Sequence, residues 1–265
     1  MIAIVVLTYN RLHLLRQCVG NVLARTSDAT SEILVWDNAS TDGTSAYLDA
    51  LSDPRIRVVH HPENIGQNAY ALAVPMTSAD YFIEMDDDIV EAPQDWDASM
   101  LDAFRRLPQI GFLQAKLADD GYSPGADLFY RKKAGLYQAQ TVNGVTILVG
   151  GPVGGGCTIS SRELYEQVGG FRQDKKNVFW HEDAAYVEDI EKLGYGKAVL
   201  DGVTVVHHGG PHYSEITPEK RAYYERRRRQ RARRAAVKRA LLAIPFVKPL
   251  NARYGWFEPP DRAAA

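Results

Sequence analysis

Three consecutive aspartates, Asp86, Asp87 and Asp88, follow directly on the apolar run Tyr81-Phe82-Ile83-Glu84-Met85. Such a run is a strand bound for a core. Three charges at its end repel one another, which raises at least one carboxyl pKa unless a cation neutralises them. Side chains alternate along a strand, so Asp86 and Asp88 point one way and Asp87 another. Asp86 and Asp88 are thus a pair of hard oxygen ligands suited to Mg2+ or Mn2+, and a metal held there can carry phosphate groups. The bland alternative is a polar turn of three solvated carboxylates. The buried type of strand before them, and Asp37 at the end of a neighbouring strand, argue against it.

Three more short apolar strands, 2–7, 33–36 and 56–59, precede this one, each followed by a polar turn and a helical pattern. Alternation of this kind implies right-handed crossovers and a mostly parallel sheet in an α/β fold. The polar residues that end the strands then share one sheet edge, where open α/β folds bind ligands. Ser40 or Thr41 is expected to cap the second helix, and Asn64 either caps the third or touches a ligand. Gly66 lets the chain pass close to that ligand. Downstream the pattern predicts a helix over 96–107, a strand over 110–114, short antiparallel strands and a mobile loop within 119–152, and a helix over 163–168. Gly169-Gly170 closes that helix with a left-handed cap. A helix over 182–193, a last strand over 198–207 and a long helix over 219–242 complete the order.

The strings Val6-Leu7-Thr8-Tyr9-Asn10-Arg11, Asp37-Asn38-Ala39-Ser40-Thr41-Asp42-Gly43-Thr44, Asn64-Ile65-Gly66-Gln67-Asn68 and Asp86-Asp87-Asp88 occur in an order that resembles the family 2 glycosyltransferases of the GT-A fold. The resemblance covers about residues 1–210. It implies an inverting enzyme with a Rossmann-like nucleotide-binding sheet, a small antiparallel extension on the acceptor side and a C-terminal helix. Residues 1–100 would form the nucleotide-sugar half, 101–218 the acceptor and catalytic half, and 219–265 a basic tail. It places Thr8, Asp37 and Asn64 in the nucleotide pocket, with Asn10, Arg11, Asn38, Gly66, Asn68 and Asp87 around the donor. Asp86 and Asp88 would meet ribose and the metal-bound diphosphate.

An inverting transfer needs a carboxylate to take the proton of the acceptor hydroxyl. Glu182 and Asp183 stand side by side at a helix start, and only one can easily face the acceptor. The resemblance favours Asp183 as the base and makes Trp180 a platform for a sugar ring. The plain alternative is an acidic pair favoured by the helix dipole. His207 ends the last strand, and a neutral imidazole there is a good ligand for Mn2+, with His208 as the substitute. His13, His60, His61 and His212 receive no role. The glycines at 150–151 and 154–156 are not a P-loop, since no Lys-Ser or Lys-Thr follows. The resemblance makes them a strand and turn that let sugar and acceptor approach closely.

Charge is uneven along the chain: up to Pro218 there are 29 acidic against 17 basic residues, and from Glu219 onward 4 against 14. The basic segment 220–247 turns apolar toward Phe246 and Val247. It suits an anionic membrane surface with a lipid-linked saccharide acceptor, a homodimer contact or a solvated helix. Nucleic acid is not an expected partner of so acidic a body. Cys18 and Cys157 are read as buried thiols, not a disulfide or a metal motif. The apolar start of the chain reads as a first strand, and no run approaches the roughly 20 residues that span a bilayer. A cytoplasmic protein, peripheral at the inner face of the plasma membrane, is the expected setting. Two other readings are a sugar-phosphate nucleotidyltransferase, which asks for more basic residues after the first strand, and a nucleotide-sugar-binding protein without turnover.

Overall fold

The computed structural model describes residues 1–119, 134–174, 181–208, 218–245, 247 and 249. The chain divides into two compact units, Met1–Pro211 and His212–Ala265.

The first unit is built on one ten-stranded sheet. Its elements are β1 (Ile2–Thr8), α1 (Leu12–Arg25), β2 (Thr30–Asp37), α2 (Thr44–Asp49), β3 (Ile56–His60), α3 (Asn68–Ala73), β4 (Tyr81–Asp86), β5 (Ile89–Glu91), α4 (Trp96–Arg106) and β6 (Ile110–Asp119). Then follow β7 (Gln138–Val142), β8 (Val145–Val149), β9 (Cys157–Ser161), α5 (Arg162–Gln167), α6 (Glu182–Lys192) and β10 (Gly196–His207). The strand order is β3-β2-β1-β4-β9-β6-β10-β8-β7, with β5 paired to β10. Strands β1 to β4 lie parallel to one another, as do β6 and β10, whereas β9 runs antiparallel between β4 and β6. The sheet is therefore mixed with a mostly parallel core, as the alternation of strands and helices predicts. The strand β9 at its centre is what the periodicity misses, because Cys157-Thr158-Ile159-Ser160-Ser161 is half polar. Ser160 satisfies its hydroxyl on Gly111 O and Tyr186 Oη, so polar residues are tolerated in a buried strand.

Both sheet faces are covered, which is why β1 is apolar on both sides, with Ile2 to Val6 all buried. One face packs on α1 and α4 through Leu15, Val19, Trp96 and Met100. The other carries an aromatic cluster in which Phe82 meets Tyr165 at 5.4 Å and Phe171 at 6.0 Å. The expected loop region 119–152 contains the hairpin β7–β8, while residues 120–133, with Arg131-Lys132-Lys133, lie outside the described residues.

Two local expectations need correction. Helix α2 is capped neither by Ser40 nor by Thr41: its N-cap is Gly43 at φ 91°, and Asp42 Oδ1 accepts from Thr44 N at 3.2 Å. The other Asp42 oxygen accepts from Leu12 N at 3.0 Å, so one carboxylate serves the first turns of both α1 and α2. Asn64 does not cap α3 but closes its own turn by accepting from Gly66 N at 3.0 Å. The predicted cap at Gly169-Gly170 is present, both at φ 81°, with Gly170 N donating to Tyr165 O.

The second unit contains α7 (Pro218–Ala243). Its exposed residues Arg226, Arg228, Arg229, Arg233, Arg234 and Arg239 recur at spacings that wind around the helix instead of forming one stripe. Among the described residues, no helix is long and apolar enough to cross a membrane.

Phe82→Ala is expected to cost about 3–5 kcal/mol, read as a lower urea midpoint; an unchanged midpoint would show that the aromatic cluster does not hold this face.

Candidate active site at the carboxyl edge of the sheet

Thr8, Asp37, His60 and Asp86 end the parallel strands β1 to β4 on one edge. Antiparallel β9 begins there, and its Gly156 carbonyl accepts from Asp86 N at 2.9 Å. β10 ends there too, and β5 draws that end toward the aspartates. Beyond Asp88 the chain pairs Ile89 with His207, and His208 N donates to Asp88 O at 2.8 Å. This short strand, absent from the sequence reading, explains how a histidine three strands from β4 reaches the aspartates.

Asp86, the last residue of β4, and Asp88, in the turn beyond it, come together at a common point, while Asp87 bonds to Thr8 and Arg11. Ligand atoms of Asp86, Asp88 and His207 all lie within 4.8 Å of one another. His207 Nε2 is 3.1 Å from Asp88 Oδ1 and 3.6 Å from Asp86 Oδ2. Asp87 instead accepts from Thr8 Oγ1 at 2.7 Å and from Arg11 Nη1 at 2.6 Å, while Arg11 Nη2 donates to Asp88. Burial, together with Asp88 and Asp86 and against Arg11 and Thr8, pushes the Asp87 carboxyl up to about 6. Burial acts to raise Asp88 as well, but Arg11 and His207 hold it well below the usual carboxylate range. Burial would lower His207, yet Asp88 and Asp86 push it up to about 10. Two hard carboxylates and an imidazole suit Mn2+ or Mg2+.

Asp183 lies in the first turn of α6, facing the glycines that lead into β9. Its Oδ2 accepts from Gly155 N at 3.0 Å and its Oδ1 from Ala184 N at 2.7 Å. Burial raises this carboxyl, with the two N–H groups opposing the shift. Glu182 is instead buried beside Glu84 of β4, and burial lifts both carboxyls well above the usual glutamate range. Of the adjacent acidic pair, then, Asp183 lines the site and Glu182 lies beneath it. Trp180 lies outside the described residues.

The residues expected around a nucleotide divide differently. Asn10, at φ 52°, accepts from Thr41 N at 2.6 Å, while its own N–H donates to Ser40 Oγ, locking the loop after β1 to the loop after β2. Asn38 is buried between Trp36 Nε1, Gly66 O and Ile65 N. Asn68 exchanges two hydrogen bonds with the backbone of Asp174, at 3.1 and 2.8 Å. Asp37 accepts from Ser40 N, from Ser45 Oγ at 2.6 Å and from His60. These polar side chains hold the edge loops in place. His60 was given no role from sequence, yet its two nitrogens lie 3.1 Å from Asp37 and 3.0 Å from Asp49, and these carboxylates raise its pKa. Nothing in the pentapeptide Arg57-Val58-Val59-His60-His61 announces that pairing. Cys18 and Cys157 are free and buried, as expected.

The sequence profile described as Glycosyl transferase family 2 matches residues 3–169. The uncharacterized protein y4gI of Sinorhizobium fredii is 24% identical over 85% of this chain, and the chain spans 26% of that relative's length. The mannosyltransferase PcManGT of Pyrobaculum calidifontis, solved with GDP-Man and Mn2+, has a similar fold at TM-score 0.56 and 20% identity, covering 80% of this chain and 58% of its own. TarS 1–349 of S. aureus, solved with UDP-GlcNAc, gives TM-score 0.61 and 14% identity over 81% of this chain and 60% of its own. GalNAc-T7, solved with UDP, GalNAc and Mn2+, gives 0.58 and 17% over 79% and 44%. These likenesses confirm the GT-A architecture.

Arg11→Met removes the guanidinium that bridges two buried carboxylates. Without divalent cation it is expected to cost about 3–5 kcal/mol of stability, measured by chemical denaturation; a loss below about 1 kcal/mol, as for an exposed pair, would show that Arg11 is not their counter-ion.

Proposed function

The chain belongs to glycosyl transferase family 2, and from that premise we propose that it is a metal-dependent inverting enzyme, moving a sugar from a nucleoside-diphosphate sugar to an acceptor hydroxyl. The carrying observation is that a cation-binding constellation and a buried, hydrogen-bonded aspartate meet at one sheet edge. Asp86, Asp88 and His207 would hold Mn2+ or Mg2+. When bound, the cation neutralises the departing diphosphate. Arg11, next to Asp87 and Asp88, adds a second positive charge on the donor side. Thr8, Asn10, Asp37, Asn38, Asn64, Gly66 and Asn68 build the wall against which the nucleotide lies, most of them by fixing the loops.

Asp183 takes the proton from the attacking hydroxyl. The N–H groups of Gly155 and Ala184 fix its orientation, and its raised pKa brings its basicity nearer to neutral pH. In this reading the donor half is residues 1–100, the acceptor half is 101–218 and the basic tail is 219–265. The acceptor is a glycan or a lipid-linked saccharide in polysaccharide synthesis. With arginines on all sides, α7 would meet an anionic cytoplasmic membrane face by charge, more than by inserting an apolar stripe. That makes the enzyme peripheral at the membrane.

Thermal shifts with UDP-, GDP- and dTDP-sugars fix the donor class. The matching donor is expected to stabilise by about 2.7 kcal/mol at 100 times its Kd, with Mn2+ present and not without it; equal shifts in EDTA would contradict the metal role. Asp183→Asn is expected to lower turnover about 100- to 10,000-fold at unchanged donor binding, followed as release of nucleoside diphosphate, and retained turnover would remove Asp183 as the base. A base works only when ionised, so wild-type kcat/KM is expected to rise with pH through the raised Asp183 pKa. Its acid limb should therefore lie above the ordinary aspartate range, and a limb at or below that range would contradict the assignment.

A further inference from the structure

We infer that Glu84 is a positioning residue for the base Asp183, acting through Gly155 and Glu182; this rests on the reading of Asp183 given above. Glu84 sits in the middle of β4, opposite Val5 of β1 and Thr158 of β9, and is 1% exposed. A carboxyl in the middle of a sheet is costly without a partner, and an aliphatic residue would serve packing better.

What Glu84 touches leads to Asp183 by two routes. The first is Gly155. A Cβ built on that residue would lie 2.0 Å from Glu84 Oε1, so only glycine lets the chain rest on the carboxyl. The N–H of the same residue donates to Asp183 Oδ2 at 3.0 Å. The turn is held on its other sides by Gln114 Oε1, which accepts from Gly154 N, and by Thr158 Oγ1, which donates to Gly154 O. Glu84 is the floor that sets the height of the Gly155 peptide. The second route is the buried contact between Glu84 and Glu182, the residue before Asp183 in the first turn of α6; the Oε2 atoms of both carboxyls are buried and meet no donor. The pair is sealed from solvent. It ties the start of α6 to β4, the strand that ends at Asp86 and leads into Asp88. The distance between base and cation site is thereby set by one side chain.

The test compares Glu84→Leu with Glu84→Gln, whose amide can donate to Glu182. The NMR signal of the Gly155 amide reports its bond to Asp183, with Asp183→Asn as the reference for a weakened bond. In E84L this signal is expected to move toward the D183N position, and kcat to fall about 10- to 100-fold with donor KM unchanged. E84Q is expected to keep both at wild-type values. A purely structural role would leave kcat per folded molecule and the Gly155 signal unmoved in E84L, and that result overturns the inference. So does an E84Q that falls as far as E84L. Should E84L not fold, Glu182→Leu removes the same buried contact from its other end and is held to the same expectation; if neither folds, the pair serves stability alone and the inference fails. A wild-type protein that released no nucleoside diphosphate from any donor would sink Asp183 as the base. The Gly155 signal would still decide whether Glu84 controls its position.

Discussion

Six carboxyl groups crowd the carboxyl edge of this sheet, and the structure depends on how their charge is balanced. Asp86, Asp87, Asp88, Glu84, Glu182 and Asp183 come from β4, the turn after it and the first turn of α6. In a low-dielectric interior such a set cannot remain wholly ionised and unpaired. Each member has its own remedy. Arg11 spans Asp87 and Asp88, His207 faces Asp86 and Asp88, burial raises the pKa of Glu84 and Glu182, and Asp183 accepts from two backbone N–H groups. The topology follows from these needs. Arg11 must come directly after β1, the neighbour of β4, and His207 must be drawn in by the pairing of β5 with β10.

The balance divides labour among chemically similar groups. Asp87 spends its oxygens on Thr8 and Arg11 and so holds the loop after β1. Asp88 and Asp86 look toward His207, leaving an opening with two hard oxygens and a nitrogen. Asp183 is raised by burial but kept oriented by N–H donors, the state a base needs. Glu182, its chain neighbour, is withdrawn into the protein. Environment, not residue type, distinguishes them.

Much of this was legible in the sequence because it follows from periodicity. The strand at 81–85 has one geometric reading, which the structure bears out; Asp86 and Asp88 do meet, but β4 ends at Asp86, so the turn beyond it and not strand alternation sets Asp87 apart. Asp183 and Glu182 stand at a helix start as expected, but which of them is buried and which meets Gly155 has no local signal in the sequence. The strand β9 was missed because it is half polar, and the hydroxyl of Ser160 is satisfied across the sheet and not locally. His60, Asp42 and β5 were missed for the same reason, since their partners lie on other elements. Polar residues that look ligand-directed in sequence, such as Asn10, Asn38 and Asn68, also fasten loops, and only three-dimensional contacts show that use.

The account turns on the site between Asp86, Asp88 and His207 being a cation site joined to the donor's phosphates. Diffraction at the manganese edge, from crystals grown with Mn2+ and a nucleoside diphosphate, tests it most directly. The anomalous peak is predicted to lie within coordination distance of Asp86, Asp88 and His207, with the diphosphate on the same cation. A peak elsewhere, or a diphosphate bound at another edge of the sheet with no manganese among these three residues, would contradict it.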